Sequence, residues 1–164
     1  MIRAVDIFDY IIVGAGTAGC VLANRLTSSG RHRVLLLEAG GEDRNIWIHI
    51  PLGYGKLFTD ARVNWLYDSE PEPELNNRRL IQPRGKVLGG SSSINGLLYI
   101  RGQPEDFDHW RQLGNSGWGF DDVLPYFRAM TCDLDRPGPD RNTNGPNIIR
   151  RLPREKWPLY MRRI

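Results

Sequence analysis

Three glycines near the start of the chain have the spacing that lets a main chain hold a diphosphate. Gly14, Gly16 and Gly19 form the pattern G-x-G-x-x-G, between a short apolar run and a segment of helical periodicity. In that setting the first glycine allows a tight turn, the second lets the backbone approach a diphosphate, and the third lets the helix pack near the strand. The free N–H groups of the helix start, with the helix dipole, favour the negative charge. The sequence therefore predicts a dinucleotide-binding turn.

An acidic residue follows this turn at the distance that an adenosine ribose requires. Glu38 ends a second apolar run about twenty residues further on, where its carboxylate can accept hydrogen bonds from both ribose hydroxyls. The same charge would repel a 2′-phosphate, which disfavours NADP. Ordinary turn glycines would not require the strand, the helix and the acid together, so we favour nucleotide binding. The motif does not separate FAD from NAD, because both contain the ADP that it binds.

A second run of small residues offers a surface for a flat ligand. It extends over residues 83–96 as PRGKVLGGSSSING and is followed by YIRG at 99–102 and DFD at 106–108. Consecutive glycines and serines let a backbone lie against a ring system, while their N–H and hydroxyl groups offer hydrogen bonds. By itself the run is also compatible with a plain Ser/Gly loop.

The whole run resembles the first signature of the glucose-methanol-choline (GMC) oxidoreductases, with matching residues from Gly85 through Asp108. The similarity continues in residues 9–41, in GNSGWG at 114–119 and in LPYF at 124–127, and so covers nearly the whole chain. It is nearest to the choline dehydrogenase and alcohol dehydrogenase-like branch. The resemblance implies that residues 1–164 are the amino-terminal part of an FAD-binding domain, without the substrate domain.

The resemblance also implies which residues hold the cofactor. Segment 84–108 lines the flavin in the family, and the opening turn binds the ADP half. The expected cofactor-binding residues are Gly14, Gly16, Thr17, Ala18, Gly19, Glu38, Ala39, Arg84, Gly85, Val87, Leu88, Gly89, Gly90, Ser91, Ser92, Asn95, Gly96, Leu97 and Leu98. Some relatives bind the flavin covalently through a histidine at the position of Ile94. Isoleucine has no nucleophilic nitrogen, so we expect the FAD to be dissociable.

No catalytic residue is expected within this chain. The family's catalytic histidine, the partner of that histidine and the second signature match positions beyond Ile164. His32 precedes a strand, His49 lies in an irregular stretch, and His109 lies on a helix beside an aspartate. We expect all three to be surface or structural histidines.

The chemistry that the resemblance implies is oxidation of an alcohol, choline-like or another primary alcohol. A base removes the hydroxyl proton while a hydride moves from the α-carbon to the flavin, and the protein supplies binding and orientation. The electron acceptor and any membrane association are left open. Two alternatives also remain at this stage: an NAD-dependent Rossmann dehydrogenase, and a non-catalytic nucleotide-binding fragment.

These groups need an α/β framework to position them. Apolar runs at 10–13 and 33–38 predict two buried parallel strands, and Val21, Leu22 and Leu26 recur at helical spacing between them. The resulting βαβ unit, residues 9–41, starts a Rossmann-like parallel sheet that is incomplete at the C-terminal end.

The rest of the chain reads as less regular. Residues 42–73 have no regular pattern, which predicts an irregular segment, here called the excursion, that is held in place by aromatic side chains. Residues 107–113 and 121–127 have helical patterns, and we expect two short helices, the second with Asp121 as its N-cap. Residues 133–147 are rich in Pro, Gly, Asp and Asn, which predicts a mobile surface loop.

Composition excludes several other classes of protein. With 40% hydrophobic and 25% charged residues in 164, the chain is typical of a globular protein, and no apolar run is long enough to span a bilayer. The charged start argues against a secretory signal and for an intracellular protein, cytoplasmic or peripheral to a membrane. The formal net charge is +3, with basic residues crowded at 150–163, which we expect to be a solvated face rather than a nucleic-acid site. Cys20 and Cys132 predict neither a disulfide nor a metal site, and we expect Cys20 in the core.

Overall fold

The first apolar runs form the strand–helix–strand unit that their periodicity predicts. In the computed structural model, which describes residues 6–136, 138–139 and 142–150, β1 spans Tyr10–Val13, α1 spans Thr17–Thr27 and β2 spans Val34–Leu37. β1 and β2 pair in parallel, with Ile12 opposite Leu36. β-branched and leucine side chains suit these short strands, and the helix between them supplies the crossover that parallel pairing requires. The α/β fold class is confirmed.

The chain divides between Leu98 and Tyr99 into two compact units. The remaining regular elements of the first unit are short: α2 at Tyr54–Leu57, β3 at Tyr67–Asp68 and β4 at Ile81–Gln82. β3 and β4 pair in antiparallel fashion. Single 3₁₀ turns occupy Ile46–Ile48, Pro51–Gly53, Pro73–Leu75 and Gly90–Ser93. The excursion is therefore largely irregular, as expected. Its strand β3 forms a hairpin with β4, which lies beyond the excursion, and the sequence pattern did not indicate this hairpin.

The core of the first unit draws on both the excursion and the serine-glycine run. Leu57, Val63, Val87 and Ile94 form one buried cluster, and Ile48 packs against it. Ile94 is 2% exposed. The segment expected to line a flavin therefore also supplies two side chains to the core.

Among its described residues, the second unit contains two helices and a pair of parallel strands. α3 spans Pro104–Gln112, α4 spans Phe120–Met130, β5 spans Thr131–Asp133 and β6 spans Asn147–Ile149. The buried Phe107 of α3 contacts Phe127 of α4, with ring centroids 5.6 Å apart. Aromatic edge-to-face packing of this kind holds the two helices together.

Two local predictions are wrong. The N-cap of α4 is Gly119 rather than Asp121, because the Asp122 carboxylate accepts a hydrogen bond from the Gly119 N–H at 3.0 Å and so fixes an earlier start. The described residues of the predicted loop 133–147 form no helix or strand except at its two ends, which belong to the parallel pair β5 and β6. Cys20 is exposed, since α1 buries only Gly19 among the described residues.

In the part of the chain that the structure describes, no helix is long and apolar enough to cross a bilayer. Most of the basic segment 150–163 lies outside the described residues.

Candidate dinucleotide-binding site

The opening glycine turn leaves the start of α1 open to an anion. Gly14 has a φ of +94°, and its N–H donates to the Leu37 carbonyl oxygen at 2.7 Å, which ties the turn to the end of β2. Gly16 is the N-cap of α1, where no side chain caps the helix and the first turn carries no acidic residue. The first N–H groups of a helix have no partner within the helix. They are therefore available here to a negatively charged ligand.

Gly19 permits the close packing of α1 on this turn. A Cβ at Gly19 would collide with the carbonyl oxygen of Gly14 and would lie 3.3 Å from the Ile12 side chain. A residue with any side chain would push the helix away from the strand. The third residue of the motif must therefore be glycine, because any side chain would clash with the turn, as the spacing predicted.

The Glu38 carboxylate is fixed at the end of β2 by two main-chain donors. Its Oε2 accepts from the Ala15 N–H at 2.7 Å, and its Oε1 accepts from the Gly40 N–H at 2.9 Å. A carboxylate offers about four acceptor positions, so each oxygen keeps capacity for a further hydrogen bond. The carboxylate is positioned before any ribose hydroxyl reaches it.

The two glycine-rich segments meet. The Gly89 N–H donates to the Ala15 carbonyl oxygen at 2.8 Å, and Gly90, with a φ of +58°, lies against Gly16 so closely that a Cβ would be 2.8 Å from the Gly16 Cα. The Leu88 N–H also donates to the Gly41 carbonyl oxygen at 2.9 Å. Segments far apart in sequence therefore form one continuous backbone surface.

This surface encloses an open cleft of about 740 Å³, within the range of small-molecule sites. Arg84 supplies positive charge to its wall, and Glu38 supplies negative charge. The predicted residues that line it are Gly14, Gly16, Thr17, Ala18, Gly19, Glu38, Ala39, Arg84, Gly85, Gly90 and Ser91.

The other predicted site residues lie elsewhere. Val87 is buried in the core, whereas Leu98 is 84% exposed. Ser92, Asn95 and Leu97 line a second pocket of about 200 Å³ together with His49. The remaining three are Leu88 and Gly89, whose N–H groups make the contacts given above, and Gly96, which lies beside the Tyr54 ring. Their roles at a flavin stay predictions.

Sequence reasoning missed three residues of the cleft, namely Val13, Leu37 and Trp65. The Trp65 ring stacks on Tyr67 with centroids 6.0 Å apart and planes 4° apart, and the Lys86 ammonium lies 4.6 Å from the Trp65 centroid. Leu66, between the two rings, has a φ of +56°, so the alternation of side chains along an extended strand does not apply here. No local sequence pattern therefore indicated this aromatic pair.

None of the three histidines lines the larger cleft. The His32 ring contacts the Tyr10 ring edge to face at 5.2 Å, and His109 is exposed on α3. His49 Nε2 donates to the Asp43 carbonyl oxygen at 2.6 Å, since a carbonyl oxygen can only accept.

A charged cluster of Asn45, Asp60 and Arg62 lies within the excursion. Arg62 donates to the Asp60 carboxylate from Nε at 2.9 Å and from Nη2 at 2.6 Å, and the Asn45 amide donates to it at 3.0 Å. The hydrogen bond from the Arg62 side chain lowers the pKa of Asp60 to about 2. The cluster fixes the turn that precedes Val63.

The βαβ unit, its glycine turn and the carboxylate at the end of β2 define a Rossmann-type dinucleotide-binding protein. Comparison with known proteins then narrows the class. The chain belongs to the GMC oxidoreductases, a family of enzymes whose model matches residues 8–156. The family resemblance seen in the sequence is confirmed.

Individual relatives agree with this assignment. The chain is 51% identical over 152 residues to an oxygen-dependent choline dehydrogenase of Sinorhizobium fredii, a match that covers 93% of this chain and 28% of the relative. It is similar to the crystal structure of pyridoxine 4-oxidase from Mesorbium loti, with a TM-score of 0.80, 34% identity, and coverage of 87% of this chain and 28% of that one.

A third match concerns the cofactor. An Aspergillus oryzae formate oxidase, whose FAD modification was studied, matches with a TM-score of 0.75 and 31% identity over 86% of this chain and 26% of that one. FAD is confirmed as the cofactor. The chain spans 26% to 28% of the length of these three proteins.

Proposed function

We propose that this chain forms the ADP-binding turn and the adjoining flavin wall of an FAD-dependent oxidoreductase that acts on the CH–OH group of an alcohol, choline-like or another primary alcohol. The observation that carries the proposal is the meeting of the two glycine-rich segments in one cleft, through Gly89 on Ala15 and Gly90 on Gly16. A single extended dinucleotide can then contact both segments.

The residues of the cleft fit the ADP half of FAD. The uncapped start of α1 and the turn from Gly14 to Thr17 would hold the diphosphate. Glu38 would accept hydrogen bonds from the ribose hydroxyls with the capacity that Ala15 and Gly40 leave free. Arg84 would offset the phosphate charge from the opposite segment. The charge balance of the cleft suits a diphosphate ester.

FAD would supply the redox chemistry by which a primary alcohol, on losing a hydride from its α-carbon and the proton of its hydroxyl to a base outside this chain, becomes an aldehyde. The residues of this chain bind and orient. Glycine and serine N–H groups fix the dinucleotide, and the buried Val87 and Ile94 hold the serine-glycine run on the core. Because Ile94 is buried and has no nucleophile, the FAD is held without a covalent bond at that position.

No residue of this chain acts as the catalytic base in this proposal. The part of the relatives that the chain matches is about a quarter of their length, and a complete active site needs groups beyond those present here. The 164-residue chain is therefore expected to bind FAD without oxidising alcohols.

Titration of FAD into the purified chain tests the proposal. We expect the flavin fluorescence to change saturably, the yellow cofactor to co-elute with the chain, and ADP to compete. Binding of NAD without binding of FAD would replace the proposal with a nicotinamide-dependent dehydrogenase. Choline oxidation by the chain at the rate of an intact choline dehydrogenase would contradict the absence of a catalytic base.

A further inference from the structure

A buried amide lies behind the wall of the cleft. Asn64 is 2% exposed, and its side-chain amide forms hydrogen bonds with four main-chain groups. Its Nδ2 donates to the carbonyl oxygens of Leu57 at 3.4 Å and Phe58 at 2.9 Å. Its Oδ1 accepts from the N–H groups of Leu66 at 3.0 Å and Arg84 at 3.1 Å.

These contacts use the full capacity of the amide. A side-chain amide has two donor hydrogens and an oxygen with two lone pairs, and each of the four has a partner here. No other residue type of this size offers two donors and two acceptors in that arrangement, since aspartate cannot donate and leucine can do neither. The site therefore specifies asparagine by hydrogen bonding and not only by volume.

The contact with Arg84 reaches across the sequence to the start of the serine-glycine run. Arg84 is held on both sides of its main chain, because its N–H donates to Asn64 Oδ1 and its carbonyl oxygen accepts from the Trp65 N–H at 2.9 Å. The Lys86 N–H then donates to the Val63 carbonyl oxygen at 2.8 Å. Hydrogen bonds from residues 63–65 thus fix the path of the main chain in residues 84–86.

The position of Arg84 in turn determines the position of the Ser91 hydroxyl, which lies in the wall of the cleft. Ser91 Oγ accepts from the Gly85 N–H at 3.1 Å and from Arg84 Nη1 at 3.4 Å. Arg84, Gly85 and Ser91 all line the cleft, whereas Asn64 does not. A displacement of the Arg84 main chain would move the positive charge and the hydroxyl together.

We propose that Asn64 is a positioning residue for the cofactor, which fixes the Arg84 main chain so that the Arg84 guanidinium faces the dinucleotide phosphates. The role rests on the function proposed above, because Arg84 has a ligand to face only if FAD occupies the cleft. Asn64 acts through Arg84 and touches no ligand itself.

The test is a double-mutant cycle in the 164-residue chain, with FAD affinity and thermal unfolding as its two readouts. Asn64→Ala is measured in the native background and in an Arg84→Gln background. We expect Asn64→Ala to weaken FAD binding about tenfold in the native background and less than twofold beside Arg84→Gln, because residues that act through one another are not additive. The loss of melting temperature should be the same in both backgrounds. A tenfold loss of affinity in both would overturn the proposal.

Asn45→Ala is the matched control. Asn45 is also a partly buried amide, which donates to Asp60 and accepts from the Trp47 N–H, but it does not line the cleft or contact Arg84. Its loss should lower the melting temperature and leave the affinity for FAD unchanged. An equal loss of affinity in Asn45→Ala would show that Asn64 acts only through general stability.

A second measurement keeps the two proposals distinguishable. If the native chain binds no FAD, the proposed function fails. Hydrogen exchange of the amides of residues 84–91 then decides on Asn64, in Asn64→Ala or, should that variant not fold, in Asn64→Ser. Faster exchange in that segment, with unchanged exchange at Gly14 to Gly19, supports the positioning role. Unchanged exchange in residues 84–91 overturns it.

Discussion

The two glycine-rich segments of the cleft reach their positions by different means. Residues 14–19 lie between β1 and α1 and are held by contacts within the βαβ unit, such as Gly14 on Leu37 and Gly19 on Gly14. Residues 84–91 lie in no helix or strand apart from the start of the 3₁₀ turn Gly90–Ser93, and hydrogen bonds to Asn64, Val63 and Ala15 fix the path of their main chain. A motif inside regular structure is self-positioning, whereas an irregular one needs partners from elsewhere in the chain.

The largest effect on stability and FAD affinity is expected from a substitution at Gly19, which makes the tightest contact of the first segment. Gly19→Val would drive a side chain into the Gly14 carbonyl and the Ile12 side chain. Overpacking costs about 3 kcal/mol of the free energy of unfolding, and we expect FAD binding to be lost. Thermal unfolding and FAD titration measure the two effects.

Gly55→Ala is the control for this substitution, because a Cβ at Gly55 meets no atom within 4 Å. It should bind FAD as the native chain does. Native affinity in Gly19→Val would show that α1 need not pack against the turn.

A somewhat smaller effect is expected where the two segments touch. Gly90→Ala would place a Cβ 2.8 Å from the Gly16 Cα at a residue whose φ is +58°. The two surfaces must separate or the backbone must change, at about 1–3 kcal/mol. We expect FAD affinity to fall about thirtyfold. If the affinity stayed at the native value, the cleft would not depend on contact between the segments.

A third substitution tests the Glu38 carboxylate, which accepts hydrogen bonds from main-chain N–H groups at the first segment. Glu38→Gln keeps the shape of the side chain but turns one acceptor into a donor that faces the Ala15 or the Gly40 N–H. The apo chain should lose about 1–2 kcal/mol of stability, and FAD affinity should fall about tenfold through the ribose. Unfolding of the variant without FAD separates the two losses. A stability unchanged from the native chain would mean that the two main-chain contacts of the carboxylate are unimportant.

The smallest effect concerns the Asp60 cluster of the excursion and the dependence of its contribution to stability on pH. The pKa of Asp60 is about 2 in the folded chain, below its ordinary value of 3.8, chiefly because of the Arg62 hydrogen bond. The unfolded chain therefore binds more protons between these values, so stability is present above about pH 4 and is lost as the pH falls through about 2. Because Arg62 is 79% exposed, the contribution is small.

Acid unfolding of Asp60→Asn measures this contribution. The variant should be less stable than the native chain at neutral pH, and the difference should shrink towards pH 2. A difference that is constant across this range would assign the effect to packing rather than to charge.

Much of the first segment could be predicted from the sequence. The glycine spacing, the apolar runs and Glu38 are local signals, and a local signal is sufficient where each group is positioned by its own strand or helix. The course of the second segment was not predictable in the same way. Nothing near Arg84 in sequence indicates that Asn64 holds it, since the two residues are twenty positions apart.

Two further features of the structure were not predicted, for the same reason. The short strand β5 is stabilised by its partner β6, whose paired residues lie sixteen positions later in the chain, as Asp133 and Ile149 do, and not by a strong local pattern. Cys20 lies on a helix whose apolar residues Val21 and Leu22 are also about half exposed. Periodicity indicated a helix there, but it did not reveal which faces of the helix are covered.

Val87 and Ile94 are buried in the same cluster as Leu57 and Val63, so FAD bound along the serine-glycine run as proposed would make cofactor loading part of the folding equilibrium. A ligand that binds only the native arrangement raises the free energy of unfolding by about 2.7 kcal/mol when present at a hundred times its dissociation constant. Cellular FAD supply would thereby help to set how much of this protein escapes proteolysis, apart from any effect on turnover.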